Sequence, residues 1–343
     1  MVFSPRIDSL LQQARRHVAA GEWSDALLLL REQGDASRAH PELATTRADA
    51  ELRTGHPREA REWLTATLPM IERSGDRAAL RKAINQLGVA ETELGALDAA
   101  ERVFGRALEL GRADGDDLLI AHATNNMGAI ANIRGHRDEA LSLYQLAIPA
   151  YQRLGNVSGL AQSLHNMAIS FRHLGQLERA GEYARRAIGY ATEGANGPLV
   201  ALAWLERAEL SLQSGDAALA EVGARRAADQ FARVPDPIRE ADALRVVGAA
   251  RLTLGKLADA ATPLERALSL ARQHGSRLVE GETLRVRADW LLAGGERNEA
   301  RRQVATAIGI FTELGAEEQR GEALQWAASV WKEDSLKTES SEG

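Results

Sequence analysis

Apolar residues recur along the chain at helical spacing. Leu164, Met167, Ala168 and Phe171 line one face of a segment, and Ala140, Leu143, Tyr144, Ala147 and Ile148 line a face of another. No stretch sustains an alternation of period two, so the pattern predicts an all-α chain. Ser4-Pro5 reads as a helix start, with serine at the N-cap and proline where its missing N–H costs nothing. That helix is expected to run to about Ala20, to break at Gly21, and to be followed by a second helix over SDALLLLRE.

The punctuation between these helices is periodic. Turn glycines stand at Gly21, Gly55, Gly95, Gly135, Gly175, Gly215, Gly255 and Gly295, the first two 34 residues apart and the rest 40. Five residues after each comes an alanine, from Ala26 and Ala60 through to Ala300. Seven before each comes a small residue: Ala14, Ala48, Gly88, Gly128, Ala168, Ala208, Gly248 and Ala288, with Ala328 continuing the series. The glycine suits a backbone that ends one helix and starts the next. The paired small residues let two antiparallel helices approach closely. A second column, Gly75, Gly115, Gly155, Pro235, Gly275 and Gly315, with GANGP at 194–198, separates one hairpin from the next. Such self-similarity predicts stacked helical hairpins joined by short loops. It is spelt most clearly from His122 to Arg179, where NNMGAI returns as HNMAIS and RGHRDEA as LGQLERA.

These columns resemble the tetratricopeptide repeat: Leu87-Gly88, Ala100, Phe104 and Ala107 fit its pattern, as do Met127-Gly128, Ala140, Tyr144 and Ala147. The resemblance covers about residues 5–334 and implies a right-handed superhelical α-solenoid of helix-turn-helix repeats. The repeats fall at about 7–40, 41–80, 81–120, 121–160, 161–200, 201–240, 241–280 and 281–320, with a capping helix at about 319–334. The long period is similar to that of kinesin light chains, cell-polarity adaptors and bacterial signalling regulators. The chain departs from the pattern in places. The early tryptophan survives only as Trp204, Arg47, Arg207 and Arg287 replace a leucine, and Ala184 and Ala224 occupy the aromatic place. In the last helix Trp331 is expected to pack back on the eighth repeat. Trp326 is a candidate homodimer contact, and the polar residues 335–343 are expected to be disordered.

Composition narrows the function. In 343 residues, 45% hydrophobic but only 4% aromatic, the core must be built from Ala, Leu and Val. The net charge of −6, with both signs interleaved, argues against nucleic acid or an anionic membrane as partner. The absence of cysteine removes disulfides, thiolate metal sites and cysteine nucleophiles. No run approaches the roughly 18 apolar residues of a membrane span, and MVFSPRIDSLLQQARR lacks a secretory pattern, so a cytoplasmic location is expected. None of the eight histidines falls in a His-x-x-x-His or Glu-x-x-His pair, and neither a phosphate-cradling loop nor a G-x-S-x-G elbow is present. No catalytic residue, metal site or cofactor is expected.

The informative feature is a second stripe on the first helix of each repeat. In the fourth repeat it reads His122, Asn125, Asn126, Ala129, Asn132; in the fifth, Gln162, His165, Asn166, Ile169, Arg172, His173; in the third, Lys82, Asn85, Gln86, Val89, Thr92. In the family this face lines a concave groove. An amide offers both a donor and an acceptor, so a ladder of amides suits the backbone of an extended peptide. Asparagine is also a poor helix former, so its clustering mid-helix carries a cost. Further along, the expected lining is Leu202, Leu205, Glu206 and Glu209, then Asp242, Arg245, Val246 and Ala249, then Glu282, Arg285, Val286 and Asp289. Arg245 and Arg285 read either as clamps for an anion or as partners of the nearby carboxylates. The expected function is a non-catalytic interaction module that binds a peptide or partner helix. The alternatives are a ligand-sensing module acting on a separate output protein and, third, an enzyme.

Overall fold

The computed structural model describes residues 5–233 and 236–339, with side chains for 7–233 and 236–331. The described residues form eighteen helices and no strand, and the chain divides into two compact units, Met1–Leu174 and Gly175–Gly343. The first unit holds α1 (Pro5–Ala20), α2 (Trp23–Glu32), α3 (Gly34–Ala39), α4 (Pro41–Arg53), α5 (Pro57–Ser74), α6 (Arg77–Glu93), α7 (Leu97–Asp114), α8 (Asp117–Ile133), α9 (Arg137–Arg153) and α10 (Val157–His173). The second holds α11 (Leu177–Glu193), α12 (Gly197–Gln213), α13 (Ala217–Arg233), α14 (Pro237–Thr253), α15 (Leu257–Gln273), α16 (Arg277–Ala293), α17 (Arg297–Leu314) and α18 (Glu317–Glu339).

Local chemistry sets the boundaries. Asp76, Asp116, Asn156, Asn196 and Asp236 each precede the first helix of a hairpin, and each side chain accepts a hydrogen bond from the backbone N–H three residues on. That satisfies one of the orphan donors of the helix start. Left-handed glycines mark the turns: at Gly135, φ is 84°, and the next N–H, of His136, donates back to the Ala131 carbonyl at 2.9 Å.

Within a hairpin the small residue of the first helix is matched to the residue sixteen places later in the second. A Cβ at Gly88 would lie 2.3 Å from the Phe104 ring, one at Gly128 2.6 Å from Tyr144, and one at Gly248 2.3 Å from Leu264. Where the small residue is Ala208, its counterpart is Ala224, and both are fully buried in one cluster with Leu205 and Phe231. There α12 and α13 close on each other, and a Cβ at Gly223 would come within 3.2 Å of the Ala208 Cβ. The alanine in the aromatic place is thus a second solution to the same volume constraint.

Three features differ from the sequence pattern. A short helix, α3, stands between the first two hairpins, held by the buried Ser37, whose hydroxyl donates to the Leu30 carbonyl at 3.0 Å. The segment GDASRA has too few apolar residues to signal a helix. Helix α18 continues to Glu339, because neither glycine nor proline interrupts residues 322–339; residues 340–343 of the expected disordered tail lie outside the described residues.

The third difference concerns Trp326. Its indole N–H donates to Asp289 Oδ1 at 2.7 Å, the Arg285 guanidinium lies 4.5 Å from its ring centroid, and Trp331 meets it edge-on at 6.4 Å. With Ala323 and Trp331 it seats α18 on the cluster formed by α16 and α17. Trp326 therefore attaches the last helix, and the homodimer contact expected for it has no support in this arrangement.

Candidate functional site

In the first unit the amide stripe forms, but its members divide between two roles. Gln86, Asn125 and His165 are buried, not solvent-facing. Gln86 Nε2 donates to the Thr45 carbonyl at 3.0 Å, across to α4, and Ser163 of α10 donates to Asn125 Oδ1 at 2.9 Å. Asn132 is also engaged: its side-chain oxygen accepts from Ser170 at 3.0 Å and from Arg137 at 2.9 Å. These side chains stitch neighbouring hairpins together, because a buried polar group must find a partner. The reading of Gln86, Asn125 and His165 as wet groove residues is corrected by that burial.

Asn85, Asn126, Gln162 and Asn166 remain half-exposed. Asn126 Nδ2 donates to Asn85 Oδ1 at 2.6 Å, and Gln162 Nε2 donates to Asn166 Oδ1 at 3.0 Å. Each amide has two donors and a two-lone-pair acceptor, so these contacts leave bonding capacity facing solvent. His122 is half-buried one turn before Asn126, its ring tilted against Tyr151 with centroids 5.7 Å apart. Burial holds its pKa below the ordinary value, Arg81 adding to the shift and Asp116 opposing it. The ring is consequently neutral near pH 7, a hydrogen-bonding and not an ionic group. Arg172 is half-buried near the end of α10.

The corresponding face of the second unit is ionic. Arg245 donates to Asp242 Oδ1 through Nε at 2.9 Å and to Glu209 Oε1 through Nη2 at 2.8 Å, with Glu282 at 3.6 Å. Burial works against its charge, but Asp242, Glu282 and Glu209 raise its pKa well above the usual guanidinium value. Arg285 bonds Asp289 at 2.7 Å and covers Trp326. Both arginines are thus paired with carboxylates of the protein, the arrangement expected as the alternative to an anion clamp. Leu205, expected in the groove lining, is buried in the core.

A family model of the tetratricopeptide repeat matches residues 119–193, the stretch that carries Asn125, Asn126 and Asn166. Three solved structures share the arrangement of helical hairpins. A Rap protein complexed with Competence and Sporulation Factor is 16% identical over 96% of this chain and 98% of its own, with a TM-score of 0.61. The apo form of the quorum sensor NprR from B. thuringiensis is 15% identical over 88% and 86%, at 0.66. Residues 119–193 match the tetratricopeptide repeat, and the fold is that of a tetratricopeptide-repeat solenoid. The APC/C hetero-tetramer Cut9–Hcn1 provides a further likeness, 15% identical at a TM-score of 0.65, covering 92% of this chain and 55% of that one. At these identities the likeness is one of fold: an all-α solenoid of helical hairpins. No curated protein sequence matches this chain.

Sequence reasoning missed the partners more than the positions. Ser163 and Ser170 follow Asn125 and Asn132 by 38 residues, a spacing that signals contact only once the hairpins are stacked. The turn after α1 gathers His17, Glu22 and Asp25, ligand atoms within 4.8 Å of one another, where no metal-ligand motif was read. There His17 Nδ1 already meets Glu22 at 2.7 Å, and all three groups are at least partly exposed.

The crowding around Arg245 has a measurable consequence. Burial pushes the Glu282 carboxyl from its ordinary 4.5 up to about 7; Arg245 opposes the shift, and Asp242, Glu209 and Glu322 reinforce it. Between these values the folded protein holds a proton that the unfolded chain has released, so the unfolding free energy falls as pH rises through the window and levels off above it. Melting temperatures measured from pH 4.5 to 8 are expected to show that decline. In Glu282→Gln the decline should be flattened; an unchanged slope would assign it to other groups.

Proposed function

We propose that this tetratricopeptide-repeat protein is a non-catalytic interaction module whose first unit binds an extended peptide or a partner helix along α6, α8 and α10. The observation that carries the reading is the row of half-exposed amides, Asn85, Asn126, Gln162 and Asn166, on consecutive first helices. They are held in place by mutual hydrogen bonds and by the buried contacts beneath them, so little side-chain entropy is lost when a ligand backbone pairs with them. No described helix is long and apolar enough to cross a membrane; a cytoplasmic location is part of the same proposal. A second reading, a peptide-sensing regulator acting on a separate output protein, is favoured by the likeness to the Rap protein complexed with its factor and to the quorum sensor NprR.

The test is direct. Peptides selected from a random library on the intact chain are measured by fluorescence anisotropy against the wild type and Asn126→Ala/Asn166→Ala. Each lost hydrogen bond should weaken binding by about 1 kcal/mol, or several-fold, with the melting temperature nearly unchanged because both amides are half-exposed. Selected peptides that bind the double variant at wild-type strength would refute the amide face. A ligand-dependent change in the radius of gyration would favour the sensor over a rigid adaptor.

A further inference from the structure

In the second unit, α12 and α13 of the sixth hairpin form an open cleft of about 270 Å³ lined by Val200, Trp204, Arg226, Asp229, Gln230 and Arg233. Its floor is apolar, made by the half-buried Trp204 and Val200. Its rim carries two guanidinium groups and one carboxylate. The Arg226 guanidinium lies 4.8 Å from the Trp204 ring centroid, and Arg207, from the turn after Trp204, lies 5.2 Å from it. Arginines elsewhere on the chain, such as Arg81, Arg134, Arg245 and Arg251, are bonded to carboxylates. Among the described residues, Arg226 and Arg233 have no such partner.

We propose that this pocket is a binding site for a monocarboxylate carried on a small apolar body, the carboxylate bridging Arg226 and Arg233 and the body resting on Trp204 and Val200. A guanidinium stacked on an indole keeps its N–H edge free for a planar, bidentate acceptor, and stacking orients it before the ligand arrives. The apolar floor gives the ligand body surface to bury. Arg207 and Arg226 beside the Trp204 ring, with Arg233, outnumber the one carboxylate, Asp229, so the site carries a net positive charge that suits an anionic ligand. Gln230, whose amide lies where a Cβ at Gly197 would come within 2.8 Å, closes the end of the pocket beside the start of α12.

The experiment follows the indole N–H resonances of the full-length protein in a ¹⁵N-correlated spectrum, with the Trp204 signal assigned by its loss in Trp204→Phe. Three probes are titrated: N-acetyl-L-leucine, its uncharged amide, and inorganic phosphate. The acid is expected to shift the Trp204 signal saturably, and Arg226→Ala to weaken that response by about tenfold, as loss of a charge-assisted hydrogen bond does. Arg302→Ala, a surface change on α17, should leave it unaltered. An equal response to the amide would show that the pocket reads only the apolar body, and an equal response to phosphate would reduce it to diffuse anion attraction. Either result overturns the proposal, as does an unmoved Trp204 signal or wild-type affinity in Arg226→Ala. The readout is independent of peptide binding at α6, α8 and α10, so neither proposal depends on the other.

Discussion

Tyr144→Ala is expected to lower the free energy of unfolding by about 3–5 kcal/mol, the range for emptied aromatic sites in a core. Tyr144 is fully buried, and its ring occupies the space left by the missing side chain of Gly128. Gly128→Ala alone should cost about 1–3 kcal/mol by overpacking, since its new methyl would sit 2.6 Å from that ring. The double variant should be more stable than the sum of the two losses predicts, because the added methyl enters the vacated volume. The protein contains that combination already, at Ala208 and Ala224. Urea unfolding of the four proteins followed by circular dichroism tests the idea. Strict additivity would mean that the two positions do not share a volume.

Arg245→Met is the second large effect. Removing Arg245 takes from the half-buried Glu209, Asp242 and Glu282 a cation that they share, a change worth about 2–4 kcal/mol. The loss should be greatest at pH 7 and shrink as pH is lowered. In the variant the crowded carboxyl groups take up protons more readily in the folded than in the unfolded chain, so stability rises as pH falls. A loss below about 1 kcal/mol, or one equal at pH 5 and pH 7, would show that Arg245 acts through packing alone.

The hairpins were legible because their determinants are local. A turn glycine and the pair of small residues around it act within one hairpin, and the lattice of Gly95, Gly135 and Gly255 declares each of them. The column of Asp and Asn from Asp76 to Asp236 is equally local, a side-chain cap before α6, α8, α10, α12 and α14. The site was only half legible. Asn125 and Asn126 are neighbours in sequence, yet a rotation of about 100° around the helix buries one against Ser163 and turns the other to Asn85. Which of the two is buried depends on the tilt between successive hairpins, which no spacing encodes. Arg245 shows the same limit: the sequence offered Asp242 nearby, but Glu209 and Glu282 reach it from other helices.

The matched volumes also determine what can be exchanged when such proteins are recombined. Phe104 fits across from Gly88, whereas Ala224 fits across from Ala208, and each pair lies within one hairpin. A graft of α7 onto α12 would drive a phenyl ring into a gap sized for a methyl group. A graft of the whole hairpin α6–α7 would carry its own lock with it. The hairpin, not the helix, is therefore the smallest segment that can be duplicated or transplanted without rebuilding the interior.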